Sequence, residues 1–150
     1  MNTFLGAEQV LVDTWIEMRL AAVAQDLEDI APGLSQRIYP DLAPADAPYP
    51  VIVYQCQSPP RDVRGVGAVR VMVDTIYVVK AVAQQVSYVP MAPLARVIDG
   101  AMTASVPTPV VDGFVLASVR NQQFSLTEVA NGKQVRNLGG EYRIHAQAQQ

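Results

Sequence analysis

Hydrophobic positions recur at helical spacing over residues 7–28. Leu11, Trp15, Met18 and Ala22 form one row, and Val12, Ile16, Leu20, Val23, Leu27 and Ile30 form the adjacent one. Together they make a broad apolar stripe suited to packing across a sheet. Glu8, Asp13 and Glu17 stand near the start, where the helix dipole favours acids, and Pro32-Gly33 ends the helix. Trp15 is expected as the core anchor of this helix. The pattern changes at Arg37–Gln57, which carries Pro40, Pro44, Pro48 and Pro50. Each proline fixes φ and removes a backbone donor, so the segment between Pro40 and Pro50 reads as an extended strap, neither helical nor paired. The apolar run Val51-Ile52-Val53-Tyr54 follows at once and predicts a first core strand over 51–58.

A hairpin loop is predicted over Pro59–Gly67, then a second strand over 68–81 with strict alternation. Val69, Val71, Val73, Thr75, Tyr77 and Val79 share one face, and Arg70, Met72, Asp74, Ile76, Val78 and Lys80 the other. One strongly apolar face predicts an antiparallel strand on a core. The second face still holds Met72, Ile76 and Val78, and that apolar content points to a partner surface. Residues 82–89 connect to a helix over 91–104 that buries Leu94, Val97, Ile98 and Met102, with Arg96 and Asp99 facing away. In the strand predicted over 114–128, Phe114, Leu116, Phe124 and Leu126 share one parity, and Val115, Ala117 and Val119 the other. Asn131-Gly132 marks a turn. The last strand starts after Gly139-Gly140, where a bulge or bend is permitted, and sets Tyr142, Ile144 and Ala146 against Glu141, Arg143 and His145. The order α-β-β-α-β-β predicts a single α+β domain over 1–150, a two-layer structure with a mainly antiparallel sheet and both helices on one face.

Composition narrows the function classes. A net charge of −3 with 17 % charged residues is not that of a basic nucleic-acid reader. The N-terminus lacks a basic signal region, and no apolar run reaches the length of a membrane span, so a soluble protein without membrane attachment is expected. One cysteine, Cys56, excludes an internal disulfide and a cysteine metal site, and His145 is the one histidine. Gly65-x-Gly67 lacks a following helix, Gly139-Gly140 precedes a strand, and no nucleophile elbow is present. No catalytic, metal or cofactor residues are therefore assigned, and no enzyme is expected. Cys56 is expected to pack in the core and His145 to be solvated or at an interface. The basic residues gather at hairpins: Arg61, Arg64 and Arg70 around the first, with Asp62 between, and Lys133 and Arg136 at the second. With Met72 and Ile76 they form the candidate subunit and partner interface. The first loop holds little that is apolar beyond Val63 and Val66, so it is expected to project from the sheet to a neighbour.

Three stretches carry a resemblance: Arg37-Ile38-Tyr39-Pro40, Pro48-Tyr49-Pro50-Val51-Ile52-Val53-Tyr54, and Val71-Met72-Val73-Asp74-Thr75-Ile76-Tyr77. Placed between a long helix, a second helix and a closing strand after a Gly-rich turn, they resemble the tail terminator, or tail completion, proteins of long-tailed bacteriophages. The connection at 82–89 is longer than that family's pattern. The resemblance implies a structural virion protein of the tail and neck, assembled in the host cytoplasm. It implies a homo-oligomeric ring of six subunits that caps the tail tube, stops its polymerisation and offers the head–tail joining surface. Its partners would be further copies of itself, the tail tube protein and the head–tail connector or stopper protein. Double-stranded DNA would pass through the lumen without sequence-specific binding, since a ring of acidic subunits repels phosphates. The nearest alternative is a neck or head-completion (stopper) ring on the connector side. A small soluble binding domain or enzyme is the distant one.

Overall fold

The computed structural model describes residues 7–68 and 70–148. The helix expected over 7–28 is two helices, α1 (Ala7–Ala22) and α2 (Ala24–Ile30), broken at Val23, whose φ and ψ of −107° and 19° are not helical. The remaining elements are β1 (Ile38–Pro40), β2 (Val51–Arg64), β3 (Arg70–Ala83), α3 (Ala92–Met102), β4 (Thr108–Val110), β5 (Gly113–Ala130) and β6 (Lys133–Ala148). Single 3-10 turns lie at Leu34–Gln36, Val66–Ala68 and Val89–Met91.

The six strands form one sheet in the order β1-β2-β3-β6-β5-β4. Neighbours are antiparallel except β1 and β2, which are parallel. The described residues thus form a mixed α/β fold of one sheet and three helices. The expected order describes the long elements and omits β1, β4 and the parallel pair. These two strands are only three residues each, too short to show a period. Pro40 ends β1 opposite Tyr54, a position open to proline because β1 is an edge strand.

The helices cover one face. Leu11, Val12, Trp15, Ile16, Leu20 and Leu27 of α1 and α2, and Leu94, Ile98 and Met102 of α3, join Ile52, Tyr54, Val73, Tyr77, Val79, Val115, Tyr142, Ile144 and Ala146 in one core cluster. Trp15 is completely buried, as its size and placement lead one to expect, and its indole nitrogen finds no hydrogen-bond partner among the described residues. Met18 and Ala22, expected in the stripe, are exposed, so the buried stripe is narrower than its hydrophobic content. The alternation of β3 holds at Val73, Thr75, Tyr77 and Val79, all buried. Val69 and the side chain of Val71 lie outside the described residues.

Three buried tyrosines latch the layers together. Tyr54 on β2 donates to Glu17 at 2.5 Å, Tyr77 on β3 to Asp13 at 2.6 Å, and Tyr142 on β6 to Asp99 at 2.9 Å. Asp13 and Glu17 are one turn apart on α1, so a single helix face meets both strands. Asp99 therefore does not face away as expected. It is half-buried over the sheet because Tyr142 needs an acceptor there.

The strand faces also depart from simple alternation. Register shifts between Val115 and Ala117 and between Arg120 and Gln122 put Val115 in the core, whereas Ala117 and Val119 pair with the outward-facing His145 and Arg143. Gly139-Gly140 do not precede the last strand. They lie inside β6, where the register with β3 runs without a shift. A Cβ on Gly139 would come within 2.1 Å of the Val79 carbonyl oxygen, so the glycine permits close approach of β3 rather than a bend. Asn131-Gly132 does make the β5–β6 turn, with φ of 53° and 75°.

Candidate assembly surfaces

The face of the sheet away from the helices centres on Asp74 of β3, only 6 % exposed. Its register partners are Arg61 on β2 and His145 on β6. Arg143 Nη2 donates to Asp74 at 2.6 Å and Arg61 Nη2 at 3.0 Å, while His145 Nε2 lies 3.6 Å away. Hydrogen bonds from Arg143 hold the Asp74 carboxyl below the usual carboxylate range, against the opposing pull of burial. In the sequence Asp74 looks isolated on its strand. Three strands pairing in register bring two arginines and the histidine to it.

Arg61 belongs to an arm rather than to a loop. β2 continues through Pro59-Pro60 to Arg64, accommodating the prolines with register shifts after Cys56 and Ser58 and another after Val63. The loop expected over Pro59–Gly67 is therefore mostly strand, closed by the turn at Val66–Ala68 with Gly67 at φ 78°. Beyond the pair Val73–Ala146 the arm has no register partner on β6. Arg64 pairs with Asp62 at 3.1 Å and both are exposed. Arg70 stands opposite Arg64 in the register, and its side chain lies outside the described residues. Met72 and Ile76 are half-buried on the outer face beside Asp74.

The second basic cluster divides. Lys133 is exposed beside the β5–β6 turn. Arg136 is instead a staple: it donates to the carbonyls of Gln85 (3.2 Å) and Val86 (3.0 Å) and to Thr127 (2.8 Å), and lies 4.9 Å from the Tyr88 ring centroid. It ties the connection after β3 to the hairpin, a role invisible while that connection looked like free loop.

The strap after Pro40 crosses the outer face. With Val51, Val53, Val82 and Val135 it encloses a pocket of about 240 Å³ that Lys80 also lines. Arg37 ties the far end of the strap to the turn after α2, donating to the carbonyls of Pro50 at 3.0 Å and Pro32 at 3.2 Å. Lys80 and Phe124 both pair with Gly139, and the ammonium lies 5.2 Å from the ring centroid. Burial pushes the Lys80 ammonium below its ordinary pKa.

Cys56 is half-buried, with Sγ donating to the Ser58 carbonyl at 3.3 Å, and burial pushes its thiol up. That is the setting of a packed, unreactive thiol. Among the described residues no three His, Cys, Asp or Glu side chains stand together as a metal site, and no helix is long and apolar enough to cross a membrane.

Both ends of the sheet are open. β1 covers β2 only at residues 52–54, and β4 covers β5 only at 113–115, with one further bridge from Ala104 to Ser118. Residues 55–64 and 119–130 are left as free edges among the described residues. Beside the second edge a groove of about 430 Å³ runs between α3 and β5.

No family profile and no curated protein matches the chain. Several solved structures share its fold, including two that cover 85 % or more of this chain. One is a chain of the virion of a native gene transfer agent particle, with a TM-score of 0.58 at 11 % identity, covering 85 % of this chain and 92 % of that one. The other gives a TM-score of 0.61 at 13 % identity, with 95 % and 97 % covered. At these identities the likeness is one of fold.

Proposed function

We propose that this chain is a structural component of a phage-type virion, a tail terminator that forms a closed ring of six copies on the end of the tail tube. The ring halts tube growth and offers its other face to the head connector. The observation that carries the reading is the fold shared, over 85 % of this chain, with a chain of a gene transfer agent virion. The sequence resemblance supplies the terminator position within the particle. Two open sheet edges and a projecting arm support the assembly part of the reading, because a subunit whose surface is completed by neighbours leaves such features uncovered. The role is structural rather than catalytic. In this role Arg61, Asp62, Arg64 and Arg70 on the arm, Met72 and Ile76 on the outer face, and Lys133 contact neighbouring copies or the tube, while Arg136 holds the second hairpin in shape. DNA passes the ring without sequence-specific contacts.

A pull-down of the purified chain against tail tube protein and against connector protein tests the position. Capture of tube protein, with a ring of this chain at the tail end in particle images, is the expected result. Capture of connector protein alone would move the chain to the stopper position. Capture of neither, with no ring at the neck, would overturn the reading.

A further inference from the structure

The two free edges lie at opposite ends of one sheet. β2 is antiparallel to β3, β3 to β6 and β6 to β5, so β2 and β5 run in opposite directions. A second copy related by rotation about an axis along the strands would therefore set its β2 antiparallel to β5 and continue the sheet. The bare β5 edge also carries exposed apolar side chains among its polar ones: Val119 is 54 % exposed, Leu126 43 % and Val129 75 %. A bare edge of this length is a template for strand addition.

The groove beside β5 has Ala92, Ala95, Leu138 and Tyr142 among its lining residues, together with Arg96 and Arg120. Arg120 lies 3.5 Å from Asp99, and Arg96 is exposed with no hydrogen bond or ion pair among the described residues. The start of β2 is flanked by acids, whereas its free stretch carries Arg61 and Arg64. Residues 1–50 hold eight acids against two arginines. Of these acids Glu17 is exposed where it meets Tyr54 on β2, and Asp41 is exposed next to β1, its amide donating to the Tyr54 carbonyl at 2.9 Å.

We propose that the free edge of β5, with the α3 groove beside it, receives the free edge of β2 from a second copy of this chain, antiparallel and head to tail. The inference rests on the ring reading and names the surfaces that close it. Main-chain hydrogen bonds along 119–130 and, on either side of Pro59-Pro60, along 55–58 and 61–64 supply the binding, as in strand addition generally. Because the two surfaces differ, each copy uses both, and the repeated contact becomes a ring when its rotation brings the last copy back to the first.

Cysteine cross-linking in a Cys56→Ser background tests this. Gln57→Cys marks the β2 edge, and Asn121→Cys, Gln123→Cys or Ser125→Cys marks the β5 edge, all at exposed positions. Each variant is oxidised alone, in mixture, and as a double variant, with light scattering alongside at assembling concentration. The expected result is a disulfide dimer in at least one β2–β5 mixture, none in any single variant alone, and a ladder from the matching double variant. Cross-linking of single variants to themselves would overturn the head-to-tail pairing. Assembly by light scattering with no β2–β5 cross-link at any of the three positions would overturn the edge contact while leaving the ring. Neither assembly nor cross-link, even with tail tubes present, would overturn both.

Discussion

Asp74 and Trp15 show two ways a single side chain holds this molecule. Trp15 is fully buried between α1 and the sheet, so Trp15→Ala should cost about 3–5 kcal/mol in denaturant melts. A loss well under 1 kcal/mol would mean that the α1 face packs differently. Asp74 acts by charge. Asp74→Asn keeps the shape and gives up the ion pairs with Arg143 and Arg61, for a cost of about 1–2 kcal/mol at neutral pH, since both arginines return to solvent. The folded-state pKa of Asp74 is depressed. Its contribution is therefore complete above the unfolded carboxylate value of about 3.9 and is lost as pH falls through the lower folded value. The stability gap between wild type and Asp74→Asn should accordingly narrow below about pH 4. Asp13 acts in the opposite sense on the absolute stability of both proteins, because burial raises its pKa and ionising it costs stability as pH rises, and its effect cancels in the gap. An unchanged gap down to pH 2 would remove the charge account of Asp74.

The elements depend on details of pairing that no propensity encodes. β3 and β6 approach closely at Gly139, and a methyl group there meets the Val79 carbonyl and the Lys80 backbone. Gly139→Ala should destabilise by about 1–3 kcal/mol, read as a lowered denaturant midpoint with an unchanged slope. Phe124→Ala uncovers the same glycine from the β5 side without a backbone clash and is expected to cost less. The β2–β3 arm is the converse case, an element with little bearing on the core. Removing residues 61–66 and closing with a tight turn should lower the melting temperature only modestly: the shorter connection changes closure entropy little and Arg143 still neutralises Asp74, but the pairing of Arg61–Arg64 with β3 and the Arg61–Asp74 ion pair are lost. The same deletion should abolish ring assembly or tube capping in a complementation assay. Tails of wild-type length from the deletion variant would reduce the arm to a solvated tip.

Charge is distributed unevenly over the whole molecule. The N-terminal third is acidic and the hairpins that follow carry most of the arginines, although the chain nets only −3. In the head-to-tail contact the Arg61–Arg64 stretch of β2 approaches Arg120 of the next copy, a like-charge approach that salt screens over about 10 Å at 0.1 M. Raising salt from about 0.05 to 0.5 M should speed ring formation, measured by light scattering, without shifting the melting temperature of the single subunit. Equal rates at both salts would leave main-chain pairing as the main driving force.

Periodicity alone located the long elements, because an apolar stripe on a helix and alternation on a strand leave a direct trace in the residue order. The buried anchors Trp15, Tyr77 and Ile98 were legible in this way, the Asn131-Gly132 turn from its residue types, and the helices on one face from the order of the elements. Pairing across the sheet was not. The charges of Asp74, Arg61 and Arg143, the latches from Tyr54, Tyr77 and Tyr142 to α1 and α3, and the stapling by Arg136 join residues far apart in the chain, and register decides which of them meet. The prolines at 59 and 60 read as a loop because local rules take no account of a bulged edge strand that tolerates them. The free edges at 55–64 and 119–130 are likewise a property of strand order: only the placement of β1 and β4 at the two ends of the sheet determines how much of β2 and β5 stays uncovered.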